Sequence, residues 1–347
     1  MMSKDEIYLR RCLDIAKSGL GHVSPNPLVG AVIVKDDCII GEGYHQKIGE
    51  AHAEVNAIAS VKQQEDLKSS TIYVNLEPCV HHGKTPPCTD LIIRKGISRV
   101  VIGMTDPNPQ VSGRGVAKLR NHGVEVITGV LEKEAVELNR RFVTFFTEKR
   151  PYIILKWAET RDGFIDVKRT VDRNSYPSWI TNKFGKLLVH KWRSEEDAFM
   201  VGTHTAIMDN PQLTVREWTG RNPLRVTIDY DGKLPEDLFL FNDEADSIVF
   251  TDKIKVATGR LKRLKISSRQ DNIEEIVRLL YQQNQQSLVV EGGAELLNSF
   301  IRKGLWDEAR IFTGDHYFGE GVEAPRIKGI KTHYKQFGNS ELKILRQ

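Results

Sequence analysis

The stretch TIYVNLEPCVHHGKTPPCTDLIIRKG (71–96) decides the fold of the first half of the chain. Its opening, Thr71–Leu76, is rich in β-branched, aromatic and apolar residues, the composition of a buried strand. From Cys88 the pattern turns helical and stops at Gly96, so a strand passes through one loop into a helix. Cys79 and Cys88 stand at the ends of that loop. Upstream, His52-Ala53-Glu54 opens a second helix, AEVNAIASV. Together these segments offer one imidazole, two thiolates and a spare carboxylate. Catalytic zinc takes three protein ligands and keeps a fourth tetrahedral position for water. His52, Cys79 and Cys88 supply the three, and their charges cancel that of the ion. Both motifs lie where the chain enters a helix N-terminus, whose partial positive charge favours thiolate over thiol.

Glu54 is too close to His52 to share the metal comfortably, but it is well placed to move protons. That division of labour, glutamate as acid and base beside a His/Cys/Cys zinc, belongs to the zinc deaminases. One departure matters: eight residues separate Cys79 from Cys88, where the common signature has two. The competing readings are a structural zinc site with His81 or His82 as fourth ligand, or two buried cysteines without metal. Neither explains Glu54 beside His52.

Around this core the first half alternates strand and helix. A helix is expected near Asp5–Ser18, a hairpin from Val29–Val34 and Cys38–Gly43, and then strand Val100–Met104. Helix Gly115–His122, strand Val124–Thr128 and a single helix from Glu132 to Phe146 follow. Such alternation predicts a largely parallel sheet with helices on its faces. Asn26-Pro27 and Asp106-Pro107-Asn108-Pro109 read as rigid turns on the rim, because proline is costly inside a strand. Plain turns are the alternative reading of both. The charged, proline-ended joint Lys149-Arg150-Pro151 marks a boundary, giving domains 1–148 and 151–347.

Composition fits a cytoplasmic enzyme. Lysine and arginine number 50 against 46 acidic residues, a surplus too small for nucleic acid, and the basic stretch Lys253–Lys265 reads as solvated surface. No run reaches membrane-spanning length and no signal-type segment opens the chain. Four cysteines do not make a disulfide framework; Cys12 and Cys38 read as reduced core residues.

HAEVNAI (52–58), LEPCVHHGKTPPC (76–88) and MTDPNPQVSGRG (104–115) resemble the deaminase half of the bifunctional riboflavin-biosynthesis deaminase/reductase family. The resemblance implies a cytidine-deaminase-like domain, a mixed sheet with helices on both faces, and makes Asn26, His45, Lys84, Asp106 and Asn108 substrate contacts. It continues through LKWAETRDGFI (155–165), SWIT (178–181), WRSEEDAFMVGTHTAIMDNPQLTVR (192–216), RVTID (225–229) and VVEGGAELL (289–297), similar to the family's dihydrofolate-reductase-like α/β domain. There it implies NADPH against Ala158, Trp179, Thr205, Asp209 and the Gly292–Gly293 turn. Ser178, Arg193, Leu213, Arg216 and Glu291 would face the substrate. Taken alone, a strand running through Gly292-Gly293 into a helix suits a phosphate at a helix N-terminus, and equally a tight turn. The chain departs from the family between Phe164 and Ser178, which is longer and puts Pro177 where a serine is usual.

The resemblance therefore implies deamination of a phosphoribosylated diaminopyrimidinone with Zn2+, reduction of its ribosyl chain to ribityl with NADPH, and a homo-oligomer. One rival is a nucleobase or nucleoside deaminase with an inactive or nucleotide-sensing second domain. Another is a zinc-stabilised binding module with four protein ligands.

Overall fold

The computed structural model describes residues 2–80, 86–109, 111–169, 179–253, 259–267 and 272–347. The chain separates into two compact units, Met1–Lys149 and Arg150–Gln347.

The first unit runs α1 (Lys4–Ala16), β1 (Gly30–Lys35), β2 (Cys38–Tyr44), α2 (Ala53–Ser60), β3 (Thr71–Leu76), α3 (Cys88–Arg94), β4 (Arg99–Met104), α4 (Arg114–Asn121), β5 (Glu125–Thr128), α5 (Glu132–Leu138) and α6 (Arg140–Thr147). Its strands order as β2-β1-β3-β4-β5. Strands β3, β4 and β5 are parallel, but β1 is antiparallel to both β2 and β3, so the sheet is mixed rather than largely parallel. The cause is the opening hairpin, whose turn residues Asp36 and Asp37 have φ of 49° and 62°, the left-handed pair that a tight primed turn needs. Ala31, Ile33, Ile72, Val74, Val100 and Ile102 face α2, α3 and α4. The alternate residues Val32, Val34, Tyr73 and Val101 meet Leu9 and Cys12 of α1 on the other face.

Helix α2 lies close against the sheet. A β-carbon at Gly41 would fall 2.7 Å from the Ala57 carbonyl oxygen, and one at Gly43 would fall 2.5 Å from the Ala57 nitrogen. The single helix expected over 132–146 is in fact two, broken at Asn139. That residue uses its amide on Leu28 instead, accepting from its N–H at 2.8 Å and donating to its carbonyl at 3.0 Å.

The second unit comprises β6 (Tyr152–Glu159), β7 (Phe164–Asp166), α7 (Lys183–Glu195), β8 (Ala198–Val201), α8 (Thr203–Asp209), β9 (Leu224–Ile228), β10 (Ser247–Thr251), β11 (Leu261–Lys265), α9 (Asn272–Gln282), β12 (Ser287–Glu291), α10 (Ala294–Arg302), β13 (Glu308–Thr313), β14 (Val322–Glu323), β15 (Ile330–Phe337) and β16 (Ser340–Arg346). Its large sheet orders as β11-β10-β9-β8-β12-β6-β13-β16-β15. All neighbours up to β13 are parallel, and a closing hairpin is antiparallel. Helices α9 and α10 cover one face through Ile276, Leu280, Leu297 and Phe300. Helix α7 covers the other through Val189 and Trp192. Part of the expected basic surface, Leu261–Lys265, is an edge strand, where charged residues discourage pairing with other chains.

Candidate functional site

His52 caps α2 with extended backbone, which turns its ring away from the helix and toward the end of β3. Cys79 follows that strand, and Cys88 is the first residue of α3. Among the described residues these three bring their donor atoms within 4.8 Å of one another. His52 Nδ1 lies 3.6 Å from Cys79 Sγ and 3.4 Å from Cys88 Sγ. Zinc bonds of about 2.3 Å to sulfur and about 2.0 Å to nitrogen, at a tetrahedral angle, separate two donor atoms by about 3.5 Å. The cup therefore has the dimensions of a zinc site, with Nδ1 as the imidazole donor.

Charge supports the same conclusion. A hydrogen bond from Cys88 holds the Cys79 thiol down at about 4, while that shared proton and burial push Cys88 upward. Two sulfurs this close both ionise only when a cation lies between them. The Cys88 N–H donates to Cys79 Sγ at 3.3 Å, adding a fixed dipole to the cup. Glu54, in the first turn of α2, is 3% exposed, and burial with the charge on Cys79 pushes its carboxyl up to about 7. A divalent cation in the cup would pull it back toward the ionised form. In that form it can accept a proton from water and later return it.

Around the cup, the structure brings together two of the expected substrate contacts directly. Asn26 Nδ2 lies 3.0 Å from His45 Nε2, and His45 Nδ1 lies 3.0 Å from the Ala51 carbonyl. A carbonyl only accepts, so Nδ1 carries the proton and Nε2 accepts from Asn26. Burial lowers the His45 pKa and keeps it neutral. Asp106 and Asn108 are half-buried after β4, and Asp106 Oδ1 accepts from the Asn108 N–H at 2.8 Å. Lys84 lies outside the described residues, as do the competing ligands His81 and His82.

In the second unit the polar groups come from separated elements. Glu291, at the end of β12, meets Arg193 of α7 at 3.2 Å and Lys156 of β6 at 3.7 Å. Burial works to raise the Glu291 pKa, but Lys156 and Arg193 outweigh it and hold the carboxylate ionised. Arg193 Nε and Glu291 Oε1 are buried without a hydrogen-bond partner among the described residues. Such atoms suit a ligand that brings its own acceptors and donors. Beyond Glu291, Gly292 has φ of +135° and Gly293 caps α10 at φ −56°. The Gly293 N–H, an amide expected to approach a phosphate, is instead bonded to Thr205 Oγ1 at 3.0 Å. As acceptor in that bond, the Thr205 hydroxyl keeps its own proton to donate to an anionic oxygen.

The remaining expected residues are more scattered. Ala158 is half-buried on β6, and Trp179 is 64% exposed with the Lys186 ammonium 5.1 Å from its ring. Asp209 pairs at 2.9 Å with Arg169, a residue of the divergent segment that also holds Asp166. Leu213 does not present a side chain: it is 1% exposed in the apolar core, and its φ of +53° turns the chain so that the Thr214 carbonyl accepts from Arg193 at 3.4 Å. Arg216 reaches Gln212 and Thr214, and its main-chain N–H donates to His190 Nδ1 at 3.1 Å. Ser178 lies outside the described residues.

Comparison with known proteins now decides the family. Residues 151–342 match the model of the RibD C-terminal domain, and residues 2–104 match that of the cytidine and deoxycytidylate deaminase zinc-binding region. The chain is 43% identical over 323 residues to the riboflavin biosynthesis protein RibD of Aquifex aeolicus, covering 92% of this chain and 89% of that one. It is 38% identical over 322 residues to RibD of Actinobacillus pleuropneumoniae, covering 90% and 84%. The chain belongs to the RibD family. It is a zinc-dependent deaminase fused to an NADPH-dependent reductase of riboflavin biosynthesis. The fold is shared with the crystal structure of a diaminohydroxyphosphoribosylaminopyrimidine deaminase/5-amino-6-(5-phosphoribosylamino)uracil reductase from Thermotoga maritima, at a TM-score of 0.89 and 41% identity over 99% of this chain and 98% of that one.

Sequence reading missed Lys156 and His190. A lysine inside the otherwise apolar strand Tyr152–Trp157 was the available signal for the first. For the second there was none, since His190 simply falls on the inner face of α7, 2% exposed.

Proposed function

We propose that residues 1–148 carry the deaminase and residues 151–347 the reductase, acting in turn on 2,5-diamino-6-(5-phosphoribosylamino)pyrimidin-4-one. The observation that carries the reading is the tetrahedral spacing of His52, Cys79 and Cys88 with Glu54 buried beside them. Bound by those three ligands, zinc would supply the Lewis acidity that makes water a nucleophile at neutral pH. Glu54 takes one proton of the attacking water and passes it to the ring nitrogen, then takes the second from the resulting hydroxyl and passes it to the amino group, which leaves as ammonia. Asn26, its amide oriented by neutral His45, presents its oxygen to the pyrimidine, while Asp106, Asn108 and Lys84 hold the rest of the substrate.

In the second unit NADPH supplies the reducing equivalents. Thr205, Asp209, Ala158, Trp179 and the Gly292–Gly293 turn would hold it. Arg193 and Arg216 suit a sugar phosphate, since guanidinium pairs with it in bidentate fashion. Lys156, paired with Glu291 at 3.7 Å, can give a proton to the sugar oxygen that is released when its carbon is reduced. Leu213 shapes the turn that brings Thr214 to Arg193, and Ser178 is assigned to the substrate by the family resemblance alone.

The enzyme acts on a small molecule, and we place it in the cytoplasm as a homo-oligomer without nucleic-acid or membrane partners. The net charge of +4 is small for a polyanion partner. No helix among the described residues is long and apolar enough to cross a membrane. A coupled assay from the diaminopyrimidinone, with and without NADPH and read by mass, tests the whole reading. Expected are a loss of one amino group without NADPH and a further gain of two hydrogens with it. Deamination without reduction would favour the rival with an inactive second domain.

A further inference from the structure

Glu77 is 4% exposed and stands between β3 and the metal-binding cysteine, yet none of the groups assigned above uses it. Its carboxylate faces only main-chain amides in the contacts resolved for it. Oε2 accepts from Asp106 N at 3.2 Å and Gly113 N at 3.0 Å. Oε1 accepts from Gly115 N at 2.8 Å and Val116 N at 3.1 Å. A carboxylate has about four lone-pair sites, so these four bonds fill it.

The amides fall into two groups. Gly115 and Val116 lie in the first turn of α4, whose own cap, Gly113, has no side chain to satisfy them. A buried negative charge is stabilised there by the helix dipole. Asp106 and Gly113 bracket the rim loop that carries Asp106 and Asn108, so a single side chain pins both ends of that loop. The same residue fixes the other side of the cup. Its own N–H donates to the Met104 carbonyl at 3.0 Å. The adjoining Pro78 carbonyl rests where a β-carbon on Gly115 would come within 2.4 Å.

We propose that Glu77 is a positioning residue of the deaminase, setting the rim loop that bears Asp106 and Asn108 at its working distance from the metal ligand Cys79. The proposal rests on the reading of Asp106 and Asn108 as substrate contacts. Replacing the acid by an amide is informative because the shape stays while a donor NH2 is forced against N–H donors. The loop should then shift without disturbing the donor atoms of His52, Cys79 and Cys88.

The test is Glu77→Gln in the full-length zinc-loaded protein, with the diaminopyrimidinone as substrate and zinc measured on the same sample. The deaminase KM should rise at least tenfold, with kcat within about threefold of the parent and one zinc retained per chain. Reductase turnover on pre-deaminated substrate should not change. A lower melting temperature with an unchanged KM would mean that Glu77 only stabilises the fold, and would overturn the proposal. Loss of zinc would overturn it as well, since the residue would then serve the metal. Should Glu77→Gln not fold, Glu77→Asp decides: the shorter acid keeps the charge but cannot span all four amides, so KM should rise by about threefold, and an unshifted KM refutes the role. Absence of deamination in the parent overturns the substrate reading and this proposal together. Parental turnover with an unmoved KM in the variants overturns the proposal alone.

Discussion

In the first unit the metal cup and its acid come from two junctions, the start of α2 and the loop between β3 and α3. The second unit gathers Lys156, Arg193, Thr205, Gly292 and Glu291 from β6, α7, α8 and the β12–α10 turn. Within each junction residues close in sequence fix each other's geometry through a few backbone angles, and the packing of α2 on the sheet is all that is needed to bring the two junctions together. The reductase site exists only once parallel strands have taken their order. The difference predicts that point changes in the first unit strike chemistry, whereas changes in the second strike chemistry and stability together.

The largest effect should come from Cys88→Ser, which leaves the cup short of a thiolate. Zinc content and deamination should both be abolished, while reductase turnover on pre-deaminated substrate persists. Retention of metal and turnover would break the three-ligand assignment. Next, Glu54→Gln should keep one zinc per chain and lose about 10²–10⁴-fold in deaminase turnover, the usual contribution of general acid–base catalysis. If zinc departs with the activity, Glu54 is a ligand instead.

On the other side of the comparison, Arg193→Met strands Glu291 in a buried position with only Lys156 at 3.7 Å. Breaking a buried pair in this way typically costs about 3–5 kcal/mol. Urea denaturation should show that loss in the second unit, together with loss of reductase activity and intact deamination. A stable variant would mean that the pair is more hydrated than its burial implies.

The glycine turn offers a finer contrast. Gly292→Ala must place a β-carbon at φ +135° and 3.2 Å from Thr205 Oγ1, whereas Gly293→Ala keeps an ordinary φ with 3.4 Å of clearance. NADPH titration should show about tenfold weaker binding for the first, corresponding to a strain of the order of 1–2 kcal/mol. The second should be nearly neutral. Equal effects would refute the assignment of strain to Gly292.

The smallest effect concerns His190, whose pKa burial and the nearby Arg193 and Arg216 lower to about 4. Unfolding lets the ring bind a proton near pH 6.5, so between those values the unfolded chain holds more protons than the native one. Stability of the second unit should therefore fall as pH drops from 6.5 toward 4 and level off below, by at most about 3 kcal/mol. His190→Gln should flatten that slope in thermal melts, and an unchanged slope would assign it to other groups.

Legibility in the sequence follows the same division. Strand β3 could be read to the residue because a buried strand is a short apolar run with sharp ends. His52, Glu54, Cys79 and Cys88 were legible because metal ligation restricts residue type and spacing at once. The break at Asn139 was not, since nothing local signals that its amide will leave the helix for Leu28. Strand β15 escaped because its residues are almost all exposed and show no alternation. The positive φ of Gly292 rather than Gly293, and the capture of the Gly293 amide by Thr205, depend on α8, which lies far away in the chain.

The glycines of β2 give α2 its seat. With side chains absent at positions 41 and 43, the helix backbone touches the strand, and that contact sets how far His52 and Glu54 stand from Cys79. A methyl group added at either position would lift the helix like a shim under one foot of a tripod, moving two of the reacting groups while the cysteines stay put. Some of the least forgiving positions for deamination thus carry no functional group at all.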